Sequence, residues 1–162
     1  MTEKTDTTSV KNPPDADNAP KKKPAANRKR RNSKPWDVSQ FKVEPQEGKA
    51  RFHDFDLPAE LMHGIKDAGF EYCTPIQAAS LPHTLNGHDI VGKAQTGTGK
   101  TAGFTLPILQ RLSVGRRAQA NQARALILTP TRELAAQVGE SVREYGKHMS
   151  LTSTVVFGGV KI

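Results

Sequence analysis

The sequence has few of the features that a secreted or membrane protein needs. Cys73 is the only cysteine in the 162 residues, so no internal disulfide can form. No apolar run approaches the ~20 residues of a membrane helix, and the N-terminus has no apolar signal-peptide core. These absences exclude a disulfide scaffold and predict no membrane partner. A single thiol fits a reducing compartment, so we expect a cytoplasmic location.

Apolar and aromatic residues are scarce, at 35% and 6%, and residues 1–50 hold few of either. This segment shows neither a helical nor a strand period. It cannot bury enough apolar surface to offset the entropy of ordering, so we predict that residues 1–50 are disordered and that a domain occupies residues 51–162. Trp36 and Phe41 in this segment could stack on bases or dock on a partner, and the sequence does not decide between them.

The positive charge is concentrated in one segment. Residues 20–34 contain eight lysines and arginines and no acid, which equals the formal net charge of +8 of the whole chain. Three interpretations remain open for this basic segment: a solvated tail that aids solubility, an arm that attracts RNA, or a nuclear-import signal.

After residue 51 the pattern predicts helices that alternate with short apolar strands. We expect helices over 57–68, 74–85, 101–112 and 130–148, with Pro107 kinking the third. We expect strands at 89–92, 125–128 and 151–157, of which 125–128 should be fully buried. This alternation predicts an α/β fold with a parallel sheet, flanking helices and right-handed crossovers.

One glycine-rich loop lies between a predicted strand and a predicted helix. Its glycines can adopt positive φ angles, and the following helix offers free N–H groups and the positive end of its dipole. A lysine there would contact the β- and γ-phosphates of a nucleotide, and the next threonine would bind Mg²⁺. The alternative is a glycine-rich turn without a ligand. The loop consists of Ala94, Gln95, Thr96, Gly97, Thr98, Gly99, Lys100 and Thr101.

Three stretches, including this loop, and a pair of glycines resemble motifs of the DEAD-box RNA helicases. The segment 69–77 resembles the Q motif, with Phe52 as its isolated upstream aromatic residue. The loop, with Ala94 in place of glycine, has that family's form of motif I. The segment 130–135 is identical to motif Ia, and Gly158-Gly159 resembles the paired-glycine motif. The resemblance implies part of a RecA-like P-loop NTPase domain that follows the disordered basic extension.

The residues of the segments 52–55 and 72–77 resemble those of the bacterial RhlB type, which is associated with RNA degradation. Cys73 stands where most of the family has proline. The resemblance therefore implies ATP and Mg²⁺ as cofactors, single-stranded or structured RNA as substrate, and RNA-degradation machinery as a partner.

The resemblance also implies roles for individual residues. Gln77 would read the adenine edge, Phe70 would stack on the base and Thr74 would help to place the Gln77 amide. For Gln77, a pure capping box with Thr74 is the alternative. The RNA backbone would contact motif Ia and the glycine pair, although an ordinary N-cap with Arg132 paired to an acid is the alternative there. These RNA-binding candidates are Pro130, Thr131, Arg132, Gly158 and Gly159.

The sequence does not contain the Asp-Glu-Ala-Asp box that the resemblance leads us to expect. We therefore interpret the chain as a fragment of a longer helicase and expect that, purified alone, it neither hydrolyses ATP nor unwinds RNA. Two alternatives are a non-enzymatic RNA-binding or regulatory polypeptide and, more distantly, an enzyme of another P-loop family.

Overall fold

A computed structural model describes residues 36–115, 118–119 and 122–159 of the chain. The predicted disorder of residues 1–35, including the basic segment, lies outside the described residues. In the described part, no helix combines the length and the apolar character that a membrane crossing requires.

Four α-helices are present in the described residues and confirm the helical pattern, with small shifts at their ends. They are α1 (Ala59–Asp67), α2 (Pro75–Thr84), α3 (Lys100–Ser113) and α4 (Arg132–Tyr145). Two short 3-10 helices, Val38–Gln40 and Phe52–Asp54, precede them. α3 continues through Pro107, which is buried.

The helix starts follow from local sequence. Thr74 is the N-cap of α2 and Pro75 is its first residue, where the absent N–H of proline costs no hydrogen bond. Thr131 is the N-cap of α4, and its Oγ1 accepts a hydrogen bond of 3.2 Å from the backbone N–H of Leu134. Because α3 begins within the glycine-rich loop and α4 begins within the segment 130–135, both candidate motifs lie at helix N-termini.

The hydrophobic core joins all four helices. Its most deeply buried apolar side chains, each 0% exposed, are Phe52, Leu61, Ile65, Leu81 and Leu106. Phe41 also belongs to this core and is 8% exposed, and Trp36, Val38 and Val43 pack against it. The prediction of disorder is therefore wrong for residues 36–50. The few apolar residues of that segment find positions on the core, which a composition argument cannot foresee.

The predicted strands are not formed in the described residues. The segments 89–92, 125–128 and 151–157 have no strand assignment. Val91, Leu126, Leu128 and Val156 are between 71% and 103% exposed. The prediction that 125–128 is a buried strand is therefore wrong here. A parallel strand is buried only when neighbouring strands pair with it and helices cover the sheet, and the described residues supply no such pairing.

α1 and the end of α4 approach closely at Gly64. A Cβ atom at Gly64 would lie 2.1 Å from the carbonyl oxygen of Tyr145, so only glycine fits there. Beside this contact, Asp67 forms bonds of 3.0 Å with Lys147 Nζ and 2.8 Å with His148 Nε2. Hydrogen bonds from His148 and Lys147 lower the pKa of Asp67 to about 2, whereas burial lowers the pKa of His63.

We expect Gly64→Ala to lower the free energy of unfolding by ~1–3 kcal/mol, because the added methyl group forces α1 and α4 apart. Denaturant unfolding followed by circular dichroism measures this change. Gly158→Ala is the control, because a Cβ at Gly158 meets nothing within 4 Å. Equal stability of the Gly64→Ala variant and the unmutated chain would contradict the close contact.

Candidate nucleotide and RNA site

The backbone of the glycine-rich loop has the conformation that the sequence predicted. Gly97 and Gly99 have φ angles of 81° and 85°. Gly99 is the N-cap of α3, which begins at Lys100. In this arrangement the first backbone N–H groups of α3 lack intrahelical acceptors and lie at the end of the loop, where an anion can be bound.

The Lys100 side chain folds back over the loop. Its ammonium group donates hydrogen bonds to the carbonyl oxygens of Ala94 and Gln95. The Thr98 hydroxyl donates to the same Gln95 oxygen at 2.7 Å, which braces the turn. Lys100 and Thr101 are both half-buried in the first turn of α3. The loop therefore carries a cation and a hydroxyl beside the helix N-terminus.

Gln77 connects α2 to this loop. Its side chain is 3% exposed, and its Oε1 accepts a hydrogen bond of 3.0 Å from the Thr74 backbone N–H. Its Nε2 donates to the Gly99 carbonyl oxygen at 3.0 Å. A Cβ atom at Gly99 would lie 2.4 Å from Nε2, so glycine is needed there both for its φ angle and for this contact. The bond from the Thr74 N–H to Gln77 Oε1 is one half of the predicted capping box, whereas the Thr74 hydroxyl has no hydrogen-bond partner among the described residues. The Gln77 bond to the loop is an additional contact that the sequence did not predict.

Phe70 and Phe52, the aromatic residues of the predicted Q motif, differ in their exposure to solvent. Phe70 is half-buried, and its ring centroid lies 6.3 Å from that of Phe52 and 5.7 Å from that of Tyr145. Phe52 is 0% exposed. The assignment of Phe52 to cofactor binding is therefore not supported by this structure, because a fully buried ring cannot stack on a ligand. The Phe52 ring instead packs against the Phe70 ring within the core.

The thiol of Cys73, in the segment 69–77, has low reactivity. Burial raises the pKa of the Cys73 thiol to about 12, and the Cys73 backbone N–H donates to the Ala50 carbonyl oxygen at 2.8 Å. A thiol with so high a pKa is protonated at neutral pH and is therefore a poor nucleophile. Cys73 thus fills a packing position within the segment 69–77.

The candidate RNA-binding residues come together at the start of α4. Gly159 has a φ angle of 79°, and a Cβ atom there would lie 2.8 Å from Arg132 Nη2. Motif Ia and the glycine pair are thus neighbours, although the chain between them includes the whole of α4. Thr131, Arg132 and Gly158 are exposed, as is Pro130. Within the described ranges Arg132 has no ion pair, so the proposed pairing with an acid is not observed there.

Comparison with known proteins places this arrangement in a family. Residues 74–162 match the family model described as DEAD/DEAH box helicase. The chain is 49% identical over 121 residues to the ATP-dependent RNA helicase RhlB of Pseudomonas syringae pv. tomato, a match that covers 73% of this chain and 30% of that protein. It is also 48% identical over 111 residues to the ATP-dependent RNA helicase DHH1 of Debaryomyces hansenii, covering 68% of this chain and 21% of the relative.

A solved structure shows the same partial RecA-like fold. The RNA helicase Prp28 from Chaetomium thermophilum, solved with bound ADP, aligns with a TM-score of 0.59 and 37% identity, covering 64% of this chain and 26% of that one. The chain therefore spans about a third or less of the length of the relatives it matches. The family model covers more than half of the chain, and the matched residues include the loop, Gln77 and Arg132. The chain belongs to the DEAD/DEAH box helicase family.

Proposed function

We propose that the chain is the nucleotide-binding and RNA-contacting part of an ATP-dependent RNA helicase. The observation that carries this proposal is the loop at the start of α3, where two left-handed glycines, Lys100 and the Gln77 bond to Gly99 meet. We further propose that residues 51–162 are the N-terminal part of the first RecA-like domain, to which residues 36–50 add a packed segment.

The loop residues suit a nucleoside triphosphate. Free amides at the start of α3 and the Lys100 ammonium supply hydrogen-bond donors for phosphate oxygens. The Lys100 ammonium already bonds two weak carbonyl acceptors, which a phosphate can replace with a charged acceptor. Thr101 would hold Mg²⁺, which neutralises phosphate charge when bound. Ala94, Gln95 and Thr96 would border the bound phosphates. The hydrogen bond from the Thr98 hydroxyl to the Gln95 carbonyl oxygen stabilises the turn of the loop.

The surface at the start of α4 suits an RNA backbone. Arg132 offers a guanidinium fork without an ion-pair partner in the described residues, and Gly158 and Gly159 leave room for close approach of backbone. Such contacts position RNA without reading its sequence. From the resemblance of the segments 52–55 and 72–77 to the RhlB type, we also propose RNA-degradation machinery as the partner, and from the single cysteine we propose a cytoplasmic location.

The enzymatic proposal is tested in a chimera, in which a relative supplies the parts of the helicase that this chain does not span. This chain replaces the 121 residues that it matches in the Pseudomonas syringae RhlB, and RNA-stimulated ATP hydrolysis is measured. We expect hydrolysis that depends on RNA. A well-folded chimera without ATPase activity would contradict the proposal and favour a non-enzymatic role in RNA binding.

In this chimera, Arg132→Ala should weaken binding of single-stranded RNA and flatten its dependence on salt by about 0.7 in the log–log slope, because one phosphate contact is lost. Fluorescence anisotropy with labelled RNA at several salt concentrations measures both quantities. Arg143→Ala is the matched control, because Arg143 is an exposed arginine in the last turn of the same helix. Equal losses in both variants would indicate a diffuse charge effect rather than a contact by Arg132.

A further inference from the structure

Three potential metal ligands converge beside the contact between α1 and the end of α4. His63 and Asp67 lie one helical turn apart on α1, and His148 lies just beyond α4. Asp67 Oδ2 lies 2.8 Å from His148 Nε2, and Asp67 Oδ1 lies 3.8 Å from His63 Nε2. The three ligand atoms lie within 4.8 Å of one another. We call these residues the His63 cluster.

The fold holds this cluster together across a long stretch of sequence. Gly64 lets α1 approach the Tyr145 carbonyl, which brings His63 and His148 side by side. The two imidazole rings are stacked with centroids 3.6 Å apart and planes within 5°. Trp36 stacks on the other face of His63 at 4.3 Å. Packing therefore holds the three side chains side by side, and the nucleotide and RNA candidates do not use this packing.

We propose that His63, Asp67 and His148 form a binding site for a divalent transition metal ion of the Zn²⁺ class. Two imidazole nitrogens and one carboxylate oxygen are a typical three-residue set for Zn²⁺, with water as the fourth ligand. The two nitrogens disfavour Mg²⁺ and Ca²⁺, which prefer oxygen ligands. A bound ion would fasten α1 to the segment after α4.

Metal binding requires a small rearrangement that can be observed. The lone pair of an imidazole nitrogen lies in the ring plane, so two parallel rings cannot both direct their lone pairs at one ion. The His63 and His148 rings must therefore tilt towards each other. Because Trp36 is stacked on His63 and is the only tryptophan in the chain, its fluorescence reports on this tilt.

Lys147 competes with a metal ion for the same carboxylate. Its ammonium group lies 3.0 Å from Asp67 Oδ2, and its side chain is 61% exposed and free to turn to solvent. An ion at the His63 cluster would displace this lysine. Removing Lys147 should therefore tighten metal binding, whereas a cluster with only a structural role predicts no gain.

The test is a titration of the untagged chain with Co²⁺, followed by visible absorption and Trp36 fluorescence, with Zn²⁺ as the competitor. We expect one ion per chain. His63→Gln and His148→Gln should each weaken binding by roughly tenfold or more, since even loss of an outer partner of a metal ligand costs ~10–100-fold. Lys147→Ala should strengthen it. His83→Gln is the matched control, because His83 is exposed on α2.

Several results would overturn the proposal. One is the absence of Co²⁺ binding in a chain whose circular dichroism shows helix. Another is binding that survives both His63→Gln and His148→Gln, or that is unchanged in Lys147→Ala. If the isolated chain lacks helical signal, the same titration in the RhlB chimera decides, with difference measurements against chimera carrying His63→Gln. Failure of the ATPase proposal would leave this result unaffected, because no cluster residue belongs to the nucleotide loop.

Discussion

In the RhlB chimera, Lys100→Ala should reduce RNA-stimulated ATP hydrolysis by at least ~10²–10³-fold, the loss typical of removing one preorganised donor from a site that stabilises developing charge. Lys100 begins α3, and its ammonium already lies over the loop interior, where it bonds the Ala94 and Gln95 carbonyl oxygens. In the transition state that ammonium would face the phosphate oxygens, on which negative charge is spread. Alanine removes the charge, and no other lysine lies in the loop.

Steady-state kinetics with saturating RNA measure the effect, and circular dichroism checks the fold. Lys93→Ala is the matched control, since Lys93 is an exposed lysine just before the loop. We expect it to keep nearly full activity. Because Lys100 also braces the loop, nucleotide binding should be measured separately with a fluorescent ATP analogue. Normal turnover in the Lys100→Ala chimera would refute the assignment of this loop to phosphate binding.

The features that could be predicted from sequence are local ones. The starts of α2 and α4 depend on Thr74 and Thr131, which bond groups within three residues of themselves. The positive φ angles of Gly97 and Gly99 follow from the loop pattern. Each of these features is encoded within one short window, which is why pattern reasoning recovered them.

The features that could not be predicted depend on distant neighbours. No sequence signal connects Gln77 to Gly99 or Arg132 to Gly159, because each pair meets only after the helices pack. The exposure of the Leu128 side chain could not be predicted either, because it depends on which other segments pack beside it. A run of apolar residues indicates that a segment is suited to the interior of a sheet. The segment is buried only when neighbouring strands pair with it.

The error over residues 36–50 has a related cause. Low apolar content predicts disorder because few contacts can offset the entropy of ordering. Here a small number of contacts is enough, since Phe41 enters a core formed by other elements and Trp36 stacks on His63. The same reasoning explains Phe52, whose position before the Q motif suggested a ligand contact but whose ring is used in packing.

Two roles are proposed for Gln77, bracing the loop and contacting adenine, and its hydrogen-bond capacity is large enough for both. An amide nitrogen has two hydrogens and an amide oxygen accepts two bonds. Nε2 uses one hydrogen on Gly99, and Oε1 uses one lone pair on the Thr74 N–H. One donor and one acceptor therefore remain, which match N7 and N6 of adenine. Because the Gln77 side chain is 3% exposed, the base would reach it only after the groups that cover it move aside. Guanine presents acceptors at both N7 and O6, so it cannot satisfy the Gln77 oxygen.

We therefore expect the chimera to prefer ATP over GTP by roughly 10⁴ in kcat/KM, the discrimination available when a wrong substrate leaves buried polar groups unpaired. Gln77→Ala should remove most of this preference, mainly by lowering kcat/KM for ATP. If Gln77 only braces the loop through Gly99, the variant should lose activity with both nucleotides by the same factor. Gln110→Ala is the control, since it deletes a comparable amide bond of 2.7 Å to the Asp56 carbonyl oxygen. Equal use of ATP and GTP by the unmutated chimera would exclude adenine recognition by Gln77.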